Sequence, residues 1–150
     1  MLSGGDYSFW LNFGLNKNIK SYVRLNKLKF AVIAHDNKKA DMVAFIMKRL
    51  DFFKDNVEIF ATGTTGKHIE FAGLDVVRLK SGPMGGDAQI AAMIVENKID
   101  CVIFFIDPLS AHPHEVDVQM LVRICNVTDT PIACNYSTAS MLINYFENQK

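Results

Sequence analysis

Five short apolar runs, each followed by a stretch of helical spacing, constrain the fold of this chain more than any other feature. Leu28-Lys29-Phe30-Ala31-Val32-Ile33-Ala34 is short, β-branched and apolar almost throughout, as a strand covered on both faces must be. Met42, Val43, Ile46, Leu50 and Phe53 then share one stripe, which predicts a helix over about 38–53. The alternation repeats with strands expected at 57–61, 76–79, 101–106 and 131–135. Helices are expected at 66–72, 87–97, 117–128 and 137–146. Consecutive parallel strands need a right-handed crossover about a helix long, so this order implies an α/β fold. The expected architecture is a three-layer, doubly wound, five-stranded parallel sheet of Rossmann-like form.

That architecture sorts the polar residues. Ligands of open parallel sheets bind beyond the C-terminal ends of the strands, where the strand order reverses. Those ends carry His35-Asp36, then Thr62-Gly63-Thr64-Thr65-Gly66, then Ser81-Gly82-Pro83 through Asp87. Asp107-Pro108 through His114 and finally Asn135 complete the rim. Most side chains with chemistry to offer therefore fall on one edge of the sheet.

The chain is long enough for one domain with a full core, placed at 27–150, and half its residues are apolar. Residues 1–26 are read as an extension that packs on the domain or on a neighbouring subunit. A formal net charge of zero gives no reason to expect a nucleic acid or an anionic membrane as partner. The N-terminal run Phe9-Trp10-Leu11-Asn12-Phe13-Gly14-Leu15 is too short and interrupted for a signal peptide or a span. Three cysteines, Cys101, Cys125 and Cys134, sit in strand-like or helical patterns and read as buried reduced thiols, in keeping with a cytoplasmic protein.

Ser81-Gly82-Pro83-Met84-Gly85-Gly86-Asp87 is a glycine loop that ends on a carboxylate where a helix begins, the pattern of a pocket wall. Thr62 to Gly66 is either an anion site at a helix N-terminus or an ordinary turn with threonine as N-cap. It does not match the nucleoside-triphosphate loop, because the spacing is short and His68 stands where a hydroxyl would hold magnesium. Lys38 and Lys39 open the first helix, where a cation is disfavoured unless an anion lies in front of it; two solvated lysines are the other reading. Asp36, Asp87, Asp107 and Asp117 with His35, His112 and His114 could form an acid–base set. Equally, Asp36 and Asp117 could cap helices and Asp107 could stabilise its Asp-Pro turn. No cysteine–histidine spacing supports a metal site, and none is expected.

These segments resemble the methylglyoxal synthase family. The likeness runs in order from about 27 to 146. It rests on Ala34-His35-Asp36-x-x-Lys39, Ala61 to Gly66, Ser81 to Asp87, Phe104-Phe105-x-Asp107-Pro108-Leu109, and Pro113-His114-x-x-Asp117-Val118. The resemblance implies conversion of dihydroxyacetone phosphate to methylglyoxal and inorganic phosphate, through an enediolate and without metal or organic cofactor. It assigns Asp87 as the base and His114 as the group that polarises the carbonyl and moves protons. Asp36 and Asp117 support that set, and Asp117 orients His114. His35 contacts substrate, while Lys39, Thr62, Gly63, Thr64, Thr65, Ser81 and Gly82 surround the phosphate. A homo-oligomer, a hexamer in the family, is also implied. Val116 and Ser140 depart from the family pattern, which usually has proline and aspartate there. The family usually continues past the last helix with an arginine segment that reaches a neighbouring phosphate site, whereas this sequence stops at Lys150. An alternative of another class keeps the fold: a non-catalytic regulatory domain that binds phosphate or an effector and needs no acid–base pair.

Overall fold

A computed structural model describes residues 27–111 and 115–149. The expected extension at 1–26, together with His112 and His114, lies outside the described residues. Strand β1 is Leu28–Ala34 and helix α1 Lys39–Met47, followed directly by helix α2, Leu50–Asn56. Strand β2 is Val57–Ala61, helix α3 Gly63–Phe71 and strand β3 Val76–Arg78. Helix α4 is Gly86–Val95, strand β4 Cys101–Phe105 and helix α5 Glu115–Thr128. Strand β5, Ile132–Ala133, and helix α6, Tyr136–Glu147, complete the order.

All strand pairs are parallel and the sheet order is β3-β2-β1-β4-β5. The chain therefore winds outward from β1 to β3, returns across the sheet, and winds outward again from β4 to β5. Alternate residues of the strands feed two separate cores. Phe30, Val32 and Ala34 pack with Met42, Phe45, Phe52, Phe53 and Ile143 on one face. Ala31 and Ile33 pack with Ile90, Ile94, Leu121 and Cys125 on the other. Each core removes a nearly continuous apolar surface from water, which is the main drive for layering helices on both faces. Among the described residues no helix is long and apolar enough to cross a membrane.

The expected strand at 131–135 is only Ile132–Ala133, and the larger departure lies after β1. The helix anticipated over 38–53 is two helices, broken at Lys48 and Arg49. Met42, Phe45, Ile46, Phe52 and Phe53 are the buried residues, at spacings that would put Arg49 in the middle of the same stripe. A guanidinium cannot enter that core unpaired. The chain leaves helical geometry at Arg49, with φ −129° and ψ 36°. Its head group then lies 5.6 Å from the centre of the Phe45 ring and bonds Asn144 Oδ1 at 3.3 Å. After the break Phe52 and Phe53 meet Phe30 edge-on at 6.2 and 6.0 Å between ring centres.

Candidate active site

The C-terminal ends of β1, β2, β3 and β4 surround a cavity of about 490 Å³. It sits where the winding direction reverses, between β1 and β4, as the strand order requires. Its size lies within the range of about 300–1,000 Å³ usual for small-molecule sites.

The glycine loop forms one wall, and its sequence is dictated by contact. Ser81 O accepts hydrogen bonds from the N–H groups of Met84 at 3.0 Å and Gly86 at 2.9 Å, folding the loop into a single 3₁₀ turn over Gly82–Met84. Gly85 follows with φ 102°, a left-handed conformation that opens α4. At Gly86 a side chain has no room, because a Cβ would lie 2.0 Å from the Lys80 carbonyl oxygen. This tight return sets Asp87 in the first turn of α4 with only 3% of its surface exposed. A Cβ on Gly82 would lie 3.2 and 3.3 Å from the two Asp87 carboxylate oxygens, so the loop closes directly over the acid.

The threonine loop forms the next wall. Helix α3 begins three residues before the expected position, at Gly63, so the segment is itself the helix N-terminus. Gly63 N–H donates to Lys80 O at 3.1 Å, and a Cβ there would meet Ser81 N at 3.0 Å, which packs the two loops together. Thr62, Thr64, Thr65, Ser81 and Gly82 all line the cavity, and Gly63 lies beneath Ser81. The amides of Thr64 and Thr65 have no carbonyl one turn back, the usual condition for anion binding. The two hydroxyls differ. Thr65 is buried and donates to Ala34 O at 3.4 Å, whereas Thr64 is exposed. Thr65 is thus placed to offer a ligand its amide rather than its side-chain proton.

Lys39 also lines the cavity, its side chain 14% exposed and its ammonium paired with the Asp36 carboxylate. Asp36 was expected in the acid–base set. Its side chain is 91% exposed and lies at the mouth of the cavity, where it steers Lys39. Asp117 is half-buried in the first turn of α5, outside the described residues that line the cavity. His35 is buried on the cavity wall, and its ring meets Phe104 edge-on at 5.2 Å.

Two polar lining residues, Asn37 and Ser110, were not singled out from sequence as site residues. Asn37 and Ser110 bind Asp107, which is buried and belongs to the loop after β4. The Ser110 hydroxyl, the Asn37 amide and the Leu109 N–H, in that order, hold the Asp107 carboxyl well below the usual carboxylate range. An asparagine and a serine 73 positions apart leave no local signal; only the pairing of β1 with β4 brings them together.

The cysteines stand apart from this chemistry. Cys101 and Cys125 are buried, Cys134 is half-buried, and all three are free. Loss of water pushes the Cys101 thiol up to about 12 and the Cys125 thiol up to about 11. Among the described residues no group of three His, Cys, Asp or Glu side chains is gathered to hold a metal ion.

A doubly wound parallel sheet that gathers a glycine loop, a helix N-terminus and a buried aspartate on one rim defines a Rossmann-like domain built to bind a small ligand. The MGS-like domain family matches residues 41–134. The methylglyoxal synthase of Bacillus anthracis is 52% identical over 121 residues, covering 80% of this chain and 92% of that protein. That of Carboxydothermus hydrogenoformans is 52% identical over 117 residues, covering 77% and 96%. The crystal structure of methylglyoxal synthase from Elizabethkingia anophelis superposes with a TM-score of 0.73 at 44% identity, covering 77% of this chain and 76% of that one. The chain belongs to the methylglyoxal synthase family, and these likenesses favour the catalytic reading, a lyase, over the regulatory one.

Proposed function

We propose that the chain converts dihydroxyacetone phosphate to methylglyoxal and inorganic phosphate in this cavity, with Asp87 as the base. The observation that carries the proposal is one of placement. A carboxylate 3% exposed shares a 490 Å³ cavity with the N-terminus of α3 and the Lys39 ammonium. A regulatory site would need the anion-binding half of that arrangement and no shielded acid.

Each residue then has a physical task. Lys39, the Thr64 and Thr65 amides and the Ser81 loop hold the phosphate, whose charge suits a helix N-terminus. Asp87, screened from water by Gly82, takes a proton from the hydroxymethyl carbon. The released electron pair moves onto the carbonyl oxygen and forms an enediolate. His114, by resemblance to the family, polarises that carbonyl and shuttles a proton between the two oxygens, and His35, the substrate contact, donates a further hydrogen bond to the same oxygen. The hydroxyl on the former hydroxymethyl carbon gives up its proton and becomes the aldehyde carbonyl. The C=C pair shifts toward the phosphate-bearing carbon and expels phosphate with the C–O bonding pair, and the remaining enol takes a proton on that carbon to give methylglyoxal. Elimination needs the C–O bond roughly perpendicular to the enediolate plane, a matter of how the phosphate is held rather than of a further catalytic group. Asp117 orients His114 in this scheme, no metal or organic cofactor takes part, and the chain works in the cytoplasm as a homo-oligomer.

The test is release of inorganic phosphate from dihydroxyacetone phosphate by the purified chain. Asp87→Asn is expected to lose about three orders of magnitude in kcat, the scale of a removed general base. A native chain that binds the substrate and releases no phosphate would sink the enzymatic reading. A fully active Asp87→Asn variant would sink the assignment of the base.

A further inference from the structure

The loops after β1 and β4 are tied by a set of hydrogen bonds that ends on a histidine ring. Asn37 Nδ2 donates to Asp107 Oδ2 at 2.9 Å and to Ser110 Oγ at 3.3 Å. Ser110 Oγ donates to the same carboxylate oxygen at 2.6 Å, and Leu109 N–H donates to Oδ1 at 3.0 Å. The main-chain N–H of Asp107 in turn donates to His35 Nδ1 at 2.9 Å. The main-chain N–H of His35 donates to Phe105 O at 3.1 Å, which closes the circuit back to β4.

The last ring contact has a chemical consequence. A backbone N–H can only donate, so Nδ1 must present its lone pair. A neutral imidazole then carries its proton on Nε2. The Asp107 side chain fixes where that backbone N–H points, because both belong to one residue in a tight turn. Asn37 and Ser110 fix the side chain.

We propose that Asn37 is a positioning residue: with Ser110 it clamps Asp107, and so holds His35 as the Nε2–H tautomer, a neutral hydrogen-bond donor in the cavity wall. The inference deepens, and rests on, the reading of the cavity as the site where an enediolate oxygen develops. A neutral donor suits that oxygen better than a ring in mixed tautomers, because half of such a population would present a lone pair to a developing negative charge. The residue is specific in kind. Aspartate has the shape of asparagine but only acceptors, so it would face the Asp107 carboxylate with a second one.

The experiment is a long-range proton–nitrogen correlation spectrum of the full chain labelled at histidine, without substrate. The chain has four histidines, and the His35 signals are identified by their loss in His35→Gln. The native chain is expected to show His35 in the Nε2–H form alone. Asn37→Asp is expected to show mixed tautomers, with kcat lowered roughly tenfold or more and KM within about threefold of native, the scale of one lost hydrogen bond. Asn37→Ala should fall between the two. If Asn37→Asp does not fold, Ser110→Ala removes a donor from the same oxygen and is read the same way. An Nδ1–H ring in the native chain overturns the proposal, as does a native tautomer and native kcat in Asn37→Asp. A raised KM at unchanged kcat also overturns it, making Asn37 a substrate contact instead. A native chain without phosphate release would remove the enzymatic reading, while the tautomer measurement would still decide the clamp.

Discussion

Gly86→Ala tests whether the glycine loop is built to aim Asp87. The added Cβ would stand 2.0 Å from Lys80 O, and 2.9 Å from both Lys80 C and Ser81 O. Real Cβ contacts essentially never fall below 3.0 Å, so the loop and the start of α4 must separate by at least 1.0 Å (3.0 minus 2.0). All three obstructing atoms are backbone, and no rotamer can relieve them. Overpacking of this kind costs about 1–3 kcal/mol. At this chain length that corresponds to a fall in Tm of roughly 2–12 °C. The displaced residue is the neighbour of Asp87, and a misplacement of about 1 Å at a reacting group can cost on the order of a hundredfold in rate. The matched control is Gly73→Ala. Gly73 has φ +100° and open space around its missing Cβ, and it lies just past α3, away from the cavity. It should lose comparable stability through backbone strain alone and keep its kcat. Thermal unfolding and phosphate release measured on both variants separate the effects. If Gly86→Ala keeps kcat within about twofold of native, the loop does not set the position of the base and the reasoning fails.

Other outcomes follow from the same geometry. Lys39→Met should raise KM for dihydroxyacetone phosphate by roughly 10- to 100-fold with a smaller effect on kcat, because a charge-assisted bond to phosphate is lost; an unchanged KM would remove Lys39 from the anion site. Thr65→Val should cost about 1 kcal/mol or less in stability and leave KM within about threefold, since the hydroxyl serves Ala34 O and the amide serves the ligand. A KM as high as that of Lys39→Met would show that the Thr65 hydroxyl binds phosphate. Cys101 has a thiol raised from 9.0 to about 12, so the folded state disfavours its ionised form. The resulting stability is fully present below pH 9.0 and is lost as pH rises toward 12, because the unfolded chain ionises first. Cys101→Ala should therefore flatten the decline of the urea midpoint across that window, and parallel curves for the two proteins would refute the assignment.

Much of the fold was legible because its signals are local. The runs at Leu28–Ala34 and Cys101–Phe105 are apolar on both faces, and only a buried parallel strand explains that pattern. The rim was legible for the same reason: once strands and helices alternate, every residue after a strand end is on the ligand side. The glycine loop and the aspartate that ends it could be read as a unit because they are contiguous. The break at Arg49 escaped periodicity, since the stripe of Met42, Val43, Ile46, Leu50 and Phe53 passes from one helix to the next without meeting Arg49. The face that is buried, with Phe45 and Phe52, would carry Arg49 as well, and keeping its guanidinium out of the core is a tertiary matter.

The sequence by itself therefore determined the layers and the rim, and set Asp87 at the end of the glycine loop, because these depend on runs of neighbours and on strand–helix order. Tertiary structure alone decided which polar groups meet. It sent the Thr65 hydroxyl to β1. It also joined Asn37, Ser110 and Asp107 to His35 across the β1–β4 junction. A hydrogen bond between residues some 70 positions apart is written in no local pattern. It exists because parallel pairing puts the two strand ends side by side, and burial favours hydrogen bonding between the polar groups gathered there.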